Sequence, residues 1–177
     1  MIPLLGMLTL AALGITALLA LIALVPPGRA ALGGVLDSSP RSAIVFAWFV
    51  ALVATLGSLY LSEIRQIEPC MLCWYQRIAM YPLVVIMGIA AWKRDTGIRK
   101  YVLPLMVIGG LLALYQYIIG YIPDAEILGC SLDVSCTVRY IWEFGFVDFP
   151  FMSFVGFSFM TSLMLWTSPS DRNESDE

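Results

Sequence analysis

"EPCMLCWYQRIAMYPLVVIMGIAAWKR", residues 68–94, is the stretch from which the fold can be read. Between Met71 and Trp92 it is apolar for long enough to cross a bilayer, since roughly 20 such residues cover about 30 Å of hydrocarbon. It closes on two basic residues, Lys93 and Arg94. Its other mouth carries a Cys-x-x-Cys pair, Cys70 and Cys73, with Arg77 one turn further in. Two thiols and a fixed positive charge are costly ornaments for a segment built for lipid, so they call for a chemical reason.

The rest of the chain extends the membrane reading. Of its 177 residues 60% are hydrophobic and 13% charged, against about 25% charged in an ordinary soluble domain. Five stretches are apolar enough to span: Ile2–Val25, Ala43–Leu61, Met71–Trp92, Tyr101–Ile122 and Phe149–Thr167. They must be helices, because so few segments cannot close a barrel and lipid offers no partner to open backbone. No internal repeat is visible. The tail "SPSDRNESDE" has the composition of a disordered segment. The first span is expected to be a retained helix rather than a signal peptide: it has no basic leader, too long an apolar run and no small-x-small cleavage site.

Charge distribution orients the bundle. Arg29, Arg41, Lys93, Arg94, Arg99, Lys100 and Arg172 fall in three regions on one side, whereas Arg65 and Arg139 fall on the other and Arg77 lies within a span. By the positive-inside rule the first group is cytoplasmic. The N-terminus is then outside and the C-terminus inside. Trp48, Trp92, Tyr101 and Trp166 near the inner ends, and Trp74, Tyr75 and Tyr121 near the outer ends, suit interfacial belts.

All four cysteines, Cys70, Cys73, Cys130 and Cys136, map to the extracytoplasmic side, where disulfides are permitted. Three uses compete. Structural staples gain most from long loops, and a Cys-x-x-Cys bridge closes almost none. A zinc site would use four thiolates, but the C-x2-C and C-x5-C spacing is a loose match and the chain has no histidine. A redox relay suits two close pairs, one of them of the exchange type, and spacing and topology favour it.

Helix geometry adds detail. Pro69 suits a first helical turn, which would set Cys70 and Cys73 at the positive end of the dipole, a position that favours thiolate. Arg77 shares a face with Cys73 at i,i+4. It either snorkels toward outer headgroups or stabilises negative charge on Cys73 or on a bound acceptor. Pro82, within the same span, is expected to free a carbonyl and kink the helix.

"SLYLSEIRQIEPCMLCWYQRIAMYP", with Tyr115–Tyr117 in the next span and "FGFVDFPFMSF" opening the last, resembles the DsbB family of membrane thiol–quinone oxidoreductases, most nearly its short BdbC-like branch. The resemblance covers roughly residues 45–167. It implies an all-α integral membrane protein with a four-helix transmembrane bundle over residues 43–167. Residues 1–42 would add an extra N-terminal transmembrane helix and linker, and 168–177 a disordered cytoplasmic tail. It further implies residence in the bacterial cytoplasmic membrane and a redox partner, a DsbA-like thioredoxin-fold thiol oxidase. The partner would exchange with Cys130, paired at rest with Cys136; a transient Cys70–Cys130 bridge would then leave Cys73 as a thiolate facing membrane quinone (ubiquinone or menaquinone). Arg77 matches the family arginine that supports quinone binding.

This chain departs from the usual pattern at Gln76, where glutamate is common, and in its compressed cysteine loop. The aromatic-rich segment 138–147 either lies on the membrane surface, keeping Cys130 near Cys70, or simply leads into the last span. Glu63, Glu68 and Tyr75 are the nearest candidate proton donors to quinone in sequence. A vitamin K epoxide reductase-type quinone reductase is a rival, but there the Cys-x-x-Cys follows the loop cysteines, whereas here it precedes them. A non-enzymatic membrane protein with stapling or metal-binding cysteines is the other.

Overall fold

The computed structural model describes residues 2–24, 40–95, 97–125, 136 and 145–166. Among them are five α-helices: α1 (Ile2–Leu24), α2 (Pro40–Leu59), α3 (Met71–Lys93), α4 (Arg99–Tyr121) and α5 (Phe149–Trp166). A π-helical turn, Tyr60–Ile64, extends α2, and a 3-10 turn, Pro123–Ala125, follows α4. The described residues contain no strand. Cys130, the linker after the first helix, most of 138–147 and the tail lie outside the described residues.

Arg41–Ile64, Met71–Lys93 and Arg99–Tyr121 are long and apolar enough to cross a membrane. These correspond to the middle three of the five expected spans. The first and last form helices where expected, but over their described residues they qualify only as shorter apolar segments, Thr9–Leu18 and Phe149–Leu165.

The helices α2, α3, α4 and α5 pack in a closed ring, each touching the next and α5 returning to α2, while α1 lies against α5. Side-chain size explains how the ring closes. Ala43, Ala47 and Ala51 repeat every four residues along α2 and all three are buried, a small-residue stripe that lets helices approach where lipid gives no hydrophobic drive. The same helix turns Phe46, Phe49, Val53 and Leu56 outward, as a lipid-facing surface requires. Trp48 crosses from α2 to α3, its indole N–H donating to the Val84 carbonyl at 2.9 Å beside Gly88, where a Cβ would press on the indole. Between α4 and α5 the close approach is at Gly109, whose missing side chain is replaced by the ring of Phe157.

Local sequence sets the helix ends nearest the thiols. Helix α3 begins at Met71 with Cys70 as its N-cap, in extended backbone at φ −67° and ψ 170°. The Cys70 carbonyl accepts from the Trp74 N–H at 3.1 Å. Pro69 therefore precedes the cap rather than occupying the first turn, and only Cys73 is helical. Asp148 starts α5, accepting from the Phe151 N–H at 3.0 Å, the usual work of an aspartate N-cap. Pro82 is exposed and α3 continues through it as one helix. Without an N–H, Pro82 cannot bond the Ile78 carbonyl.

Gly109→Ala should force a methyl group into the Phe157 ring, at a cost of about 1–3 kcal/mol for overpacking. The expected result is a lower thermal midpoint in detergent, substantially restored by adding Phe157→Leu. An equal midpoint in Gly109→Ala and the parent protein would refute the close α4–α5 contact.

Candidate functional site

At the end of the bundle where α2 finishes, α3 begins and α4 finishes, polar and sulfur groups converge inside an apolar surround. The Sγ atoms of Cys70 and Cys73 lie 3.0 Å apart and both thiols are free. Cap geometry accounts for the approach: the N-cap side chain and that of the third helical residue meet over the first turn. Leu72 and Ile119, both fully buried, share a cluster with Cys70 and Cys136, against which Cys73, Leu112 and Tyr115 also pack. Cys136 is buried and disulfide-bonded.

Gln116, from α4, reaches the pair. Its side-chain N–H group donates to Cys70 Sγ at 3.2 Å and to Cys73 Sγ at 3.4 Å. Its Oε1 accepts from Gln76 Nε2 at 2.6 Å. These two amides are only 5% and 7% exposed, so each needs its partners: a buried amide left unpaired costs about 1–3 kcal/mol.

Arg77 is 8% exposed, and it does not snorkel. Its Nε donates to Ser58 Oγ at 2.9 Å and its Nη2 to the Ser58 carbonyl at 3.1 Å. The guanidinium also lies 5.2 Å from the centroid of the Trp74 ring, within cation–π range. Its recorded hydrogen bonds therefore run sideways to α2 rather than up the helix to a sulfur. Beside it opens a cleft of about 290 Å³ whose lining includes Ser62, Glu63, Glu68, Trp74 and Arg77. Thus two of the three carboxyl and phenol candidates, Glu63 and Glu68, border the space next to the cation. Tyr75 does not line it and is exposed.

The thiols are electrostatically unequal. The hydrogen bond with Cys73 is the largest influence holding the Cys70 thiol well above its ordinary range, and burial adds to it. This reverses, for Cys70, the expectation from a first-turn position. As the N-cap, close against another sulfur and shielded from water, it retains its proton.

Sequence reasoning locates Cys70, Cys73 and Arg77, which the structure holds within about two helical turns, and it locates Cys136, which joins the same cluster as the two thiols. It did not locate Ser58 or Gln116, and met Gln76 only as a departure from a pattern. For Gln116 a signal existed: it is the single amide in the apolar run of α4, and polar side chains inside spans are rarely idle. Nothing in the sequence around Ser58 marks it as the partner of Arg77.

Comparison with known proteins decides the family. The model of the disulfide bond formation protein DsbB matches residues 40–167. The chain belongs to the DsbB family. It is 48% identical over 121 residues to Disulfide bond formation protein C of Bacillus subtilis (strain 168), covering 66% of this chain and 88% of that protein. It is 43% identical over 131 residues to the Probable disulfide formation protein C 2 of Bacillus cereus (strain ATCC 10987 / NRS 248), covering 74% and 94%. A Probable disulfide formation protein of Coxiella burnetii (strain CbuK_Q154) is 45% identical over 124 residues, covering 69% and 84%. No solved structure matches. Family and helices together make this a membrane protein of disulfide bond formation, and the relatives named disulfide formation protein C agree with the BdbC-like resemblance.

The raised Cys70 value gives a pH test. A group raised in the folded state stays protonated through the ordinary thiol value of 9.0 and loses its proton only above it. In the reduced protein, iodoacetamide should therefore modify Cys70 slowly around neutrality and faster only above that value, as read by peptide mass spectrometry. Cys73→Ala removes the leading cause, so it should bring the onset of Cys70 alkylation down in pH.

Proposed function

We propose that this protein is a membrane thiol–quinone oxidoreductase. It reoxidises an extracytoplasmic DsbA-like thioredoxin-fold thiol oxidase and passes the electrons through Cys130/Cys136 and then Cys70/Cys73 to membrane quinone. The observation that carries the reading is the meeting of a free Cys-x-x-Cys dithiol, the disulfide-bonded Cys136 and a buried arginine at one end of a DsbB-family bundle.

The residues fit a quinone on three grounds. Arg77 is a fixed cation about one turn beyond Cys73. The adjoining cleft of about 290 Å³ is close to the lower bound of about 300 Å³ for small-molecule sites. Thr55 Oγ1 and Tyr81 Oη are buried with no hydrogen-bond partner among the described residues, roughly one helical turn further into α2 and α3 than the Ser58–Arg77 contact. A bound quinone supplies a two-electron, two-proton sink that exchanges with a lipid-soluble pool.

The protein's own steps are thiol–disulfide exchanges, governed by thiolate attack, leaving group and access. The partner's dithiol reduces the Cys130–Cys136 disulfide through a mixed disulfide on Cys130. The Cys130 thiolate attacks Cys70 in the Cys70–Cys73 disulfide; the bond between Cys70 and Cys73 breaks, one between Cys130 and Cys70 forms, and Cys73 leaves as thiolate. Cys136 then attacks Cys130, restoring the loop disulfide and releasing Cys70. Arg77, held by Ser58, stabilises negative charge at the inner side of Cys73. Glu63 and Glu68, at the cleft, can hold protons there. The reduced Cys70–Cys73 pair gives up two electrons and two protons, and its disulfide re-forms.

On this reading the protein lies in the bacterial cytoplasmic membrane, with the thiols outside and the basic link between Lys93 and Lys100 inside. Purified protein with ubiquinone or menaquinone should show a quinone-dependent absorbance change that Cys73→Ser abolishes and that Arg77→Ala weakens, with KM for quinone rising about tenfold, the equivalent of one lost charge-assisted contact. Unchanged turnover in Cys73→Ser would sink the relay. In cells, Cys136→Ala should trap a thioredoxin-fold partner on Cys130, identified by mass.

A further inference from the structure

We infer that Gln116, oriented by Gln76, is a positioning residue that stabilises the reduced Cys70–Cys73 pair and so makes its disulfide a stronger oxidant. The inference rests on the reading of these cysteines as an exchanging pair, but not on quinone or on any partner protein.

A side-chain amide has a donor end and an acceptor end, and which end meets sulfur matters. Gln76 Nε2 is a donor and lies 2.6 Å from Gln116 Oε1, so the acceptor end of Gln116 is occupied. Its donor end is thereby turned to Cys70 Sγ at 3.2 Å and Cys73 Sγ at 3.4 Å, nearer than its oxygen, which lies 3.9 Å from Cys73 Sγ and accepts a longer contact from that thiol. Both amides are more than nine-tenths buried, and Leu72, Leu112 and Ile119 pack with the thiols that Gln116 reaches. With no competing solvent, reversing Gln116 would set nitrogen against nitrogen, donor against donor, at residue 76 and turn the amide oxygen to the sulfurs.

Thiols and thiolates accept such hydrogen bonds better than the sulfurs of a disulfide, which carry less negative charge. The donors therefore favour the reduced form. A disulfide whose reduced form is stabilised has a higher potential, the same logic that makes some thioredoxin-fold oxidases strong oxidants. For a pair that must draw electrons from a second disulfide couple, this is the useful direction. The chain places this donor on α4 and its orienting group on α3, four residues before Met80 and next to Arg77 in sequence. One helix thus carries the dithiol, the cation and the group that aims the amide.

The test is a redox equilibrium of the full chain in detergent without quinone. Reduced Cys70 and Cys73 with one glutathione disulfide give the protein disulfide and two glutathione thiols. Two electrons and two protons pass to glutathione. Differential alkylation and mass spectrometry of the peptide holding both cysteines read the position of equilibrium. Gln116→Leu should favour the protein disulfide by about tenfold, which for this two-electron couple is about 30 mV toward more negative potential. Gln76→Leu, which frees Gln116 to rotate, should shift it the same way by a smaller factor.

The double variant Gln76→Leu/Gln116→Leu leaves no buried amide unpaired and so guards against loss of folding; it should match Gln116→Leu. If the double variant folds and its equilibrium equals that of the parent, the amides serve packing alone and the inference fails while the relay stands. If the parent never forms a Cys70–Cys73 disulfide across the buffer range, the exchange reading itself fails, and this inference with it.

Discussion

Lipid supplies no hydrogen-bond partner, so a cation or amide set inside the bundle has to be answered by another part of the protein. Here that requirement falls on Arg77, Gln76 and Gln116, all less than a tenth exposed. Arg77 is answered by Ser58 of α2, and Gln76 by Gln116 of α4. Breaking either pairing would strand a guanidinium or an amide in an apolar surround, at a cost of several kcal/mol for a charge. The three helices are thus tied at one level, and the thiols are carried on the middle one.

The remaining contacts keep that level in register. The link from Arg94 to Ile98 is short, so α3 and α4 return side by side. Cys73 stands about 30 Å above the end of α3 and Gln116 about 26 Å above the start of α4, at about 1.5 Å per residue. The two therefore arrive within a turn of each other without further adjustment. On the other flank, the alanine stripe and Trp48 fix how closely α2 lies on α3, and Ser58 is brought opposite Arg77. Farther out, the α5 end is tied to α4 by aromatic contacts of Tyr117 with Phe151 and by the Tyr117 hydroxyl, which donates to the Phe146 carbonyl. Cys136 and the start of α5 thereby lie at the same end of the bundle.

This explains which parts were legible in the sequence. Hydropathy exposes spans because burial in lipid leaves a long apolar run, and it exposes Cys70, Cys73 and Arg77 because they interrupt one. It cannot say what a polar group pairs with, because pairing is set by helix neighbours and register. The i,i+4 spacing pointed from Arg77 to Cys73, yet the guanidinium's hydrogen bonds go to Ser58, a residue of unremarkable surroundings. Gln116 was readable as an anomaly in α4 but not as a ligand of sulfur. Helix α3 starts a residue or two later than Pro69 suggests, because proline is equally comfortable before a cap and within a first turn. That small displacement changes the chemistry of Cys70, which becomes a cap shielded from water instead of a first-turn thiol.

The displacement also gives the pair its asymmetry. Cys70 is the boundary residue, set beside Cys136 in the apolar cluster, while Cys73 lies three residues, about 4.5 Å of helix axis, nearer the level of Arg77. On the proposed reading, exchange at Cys70 releases charge at Cys73, where the donors of Gln116 are already in place and the buried cation is already anchored. No dipole has to turn when the charge appears, which is what makes preorganised groups effective in a site closed to water. A flexible loop could bring two thiols together, but it could not hold the donor, the cation and the leaving sulfur fixed at the same depth. Only side chains pinned between helices can do that, and the same pairing rule that makes polar groups expensive in lipid is what pins them.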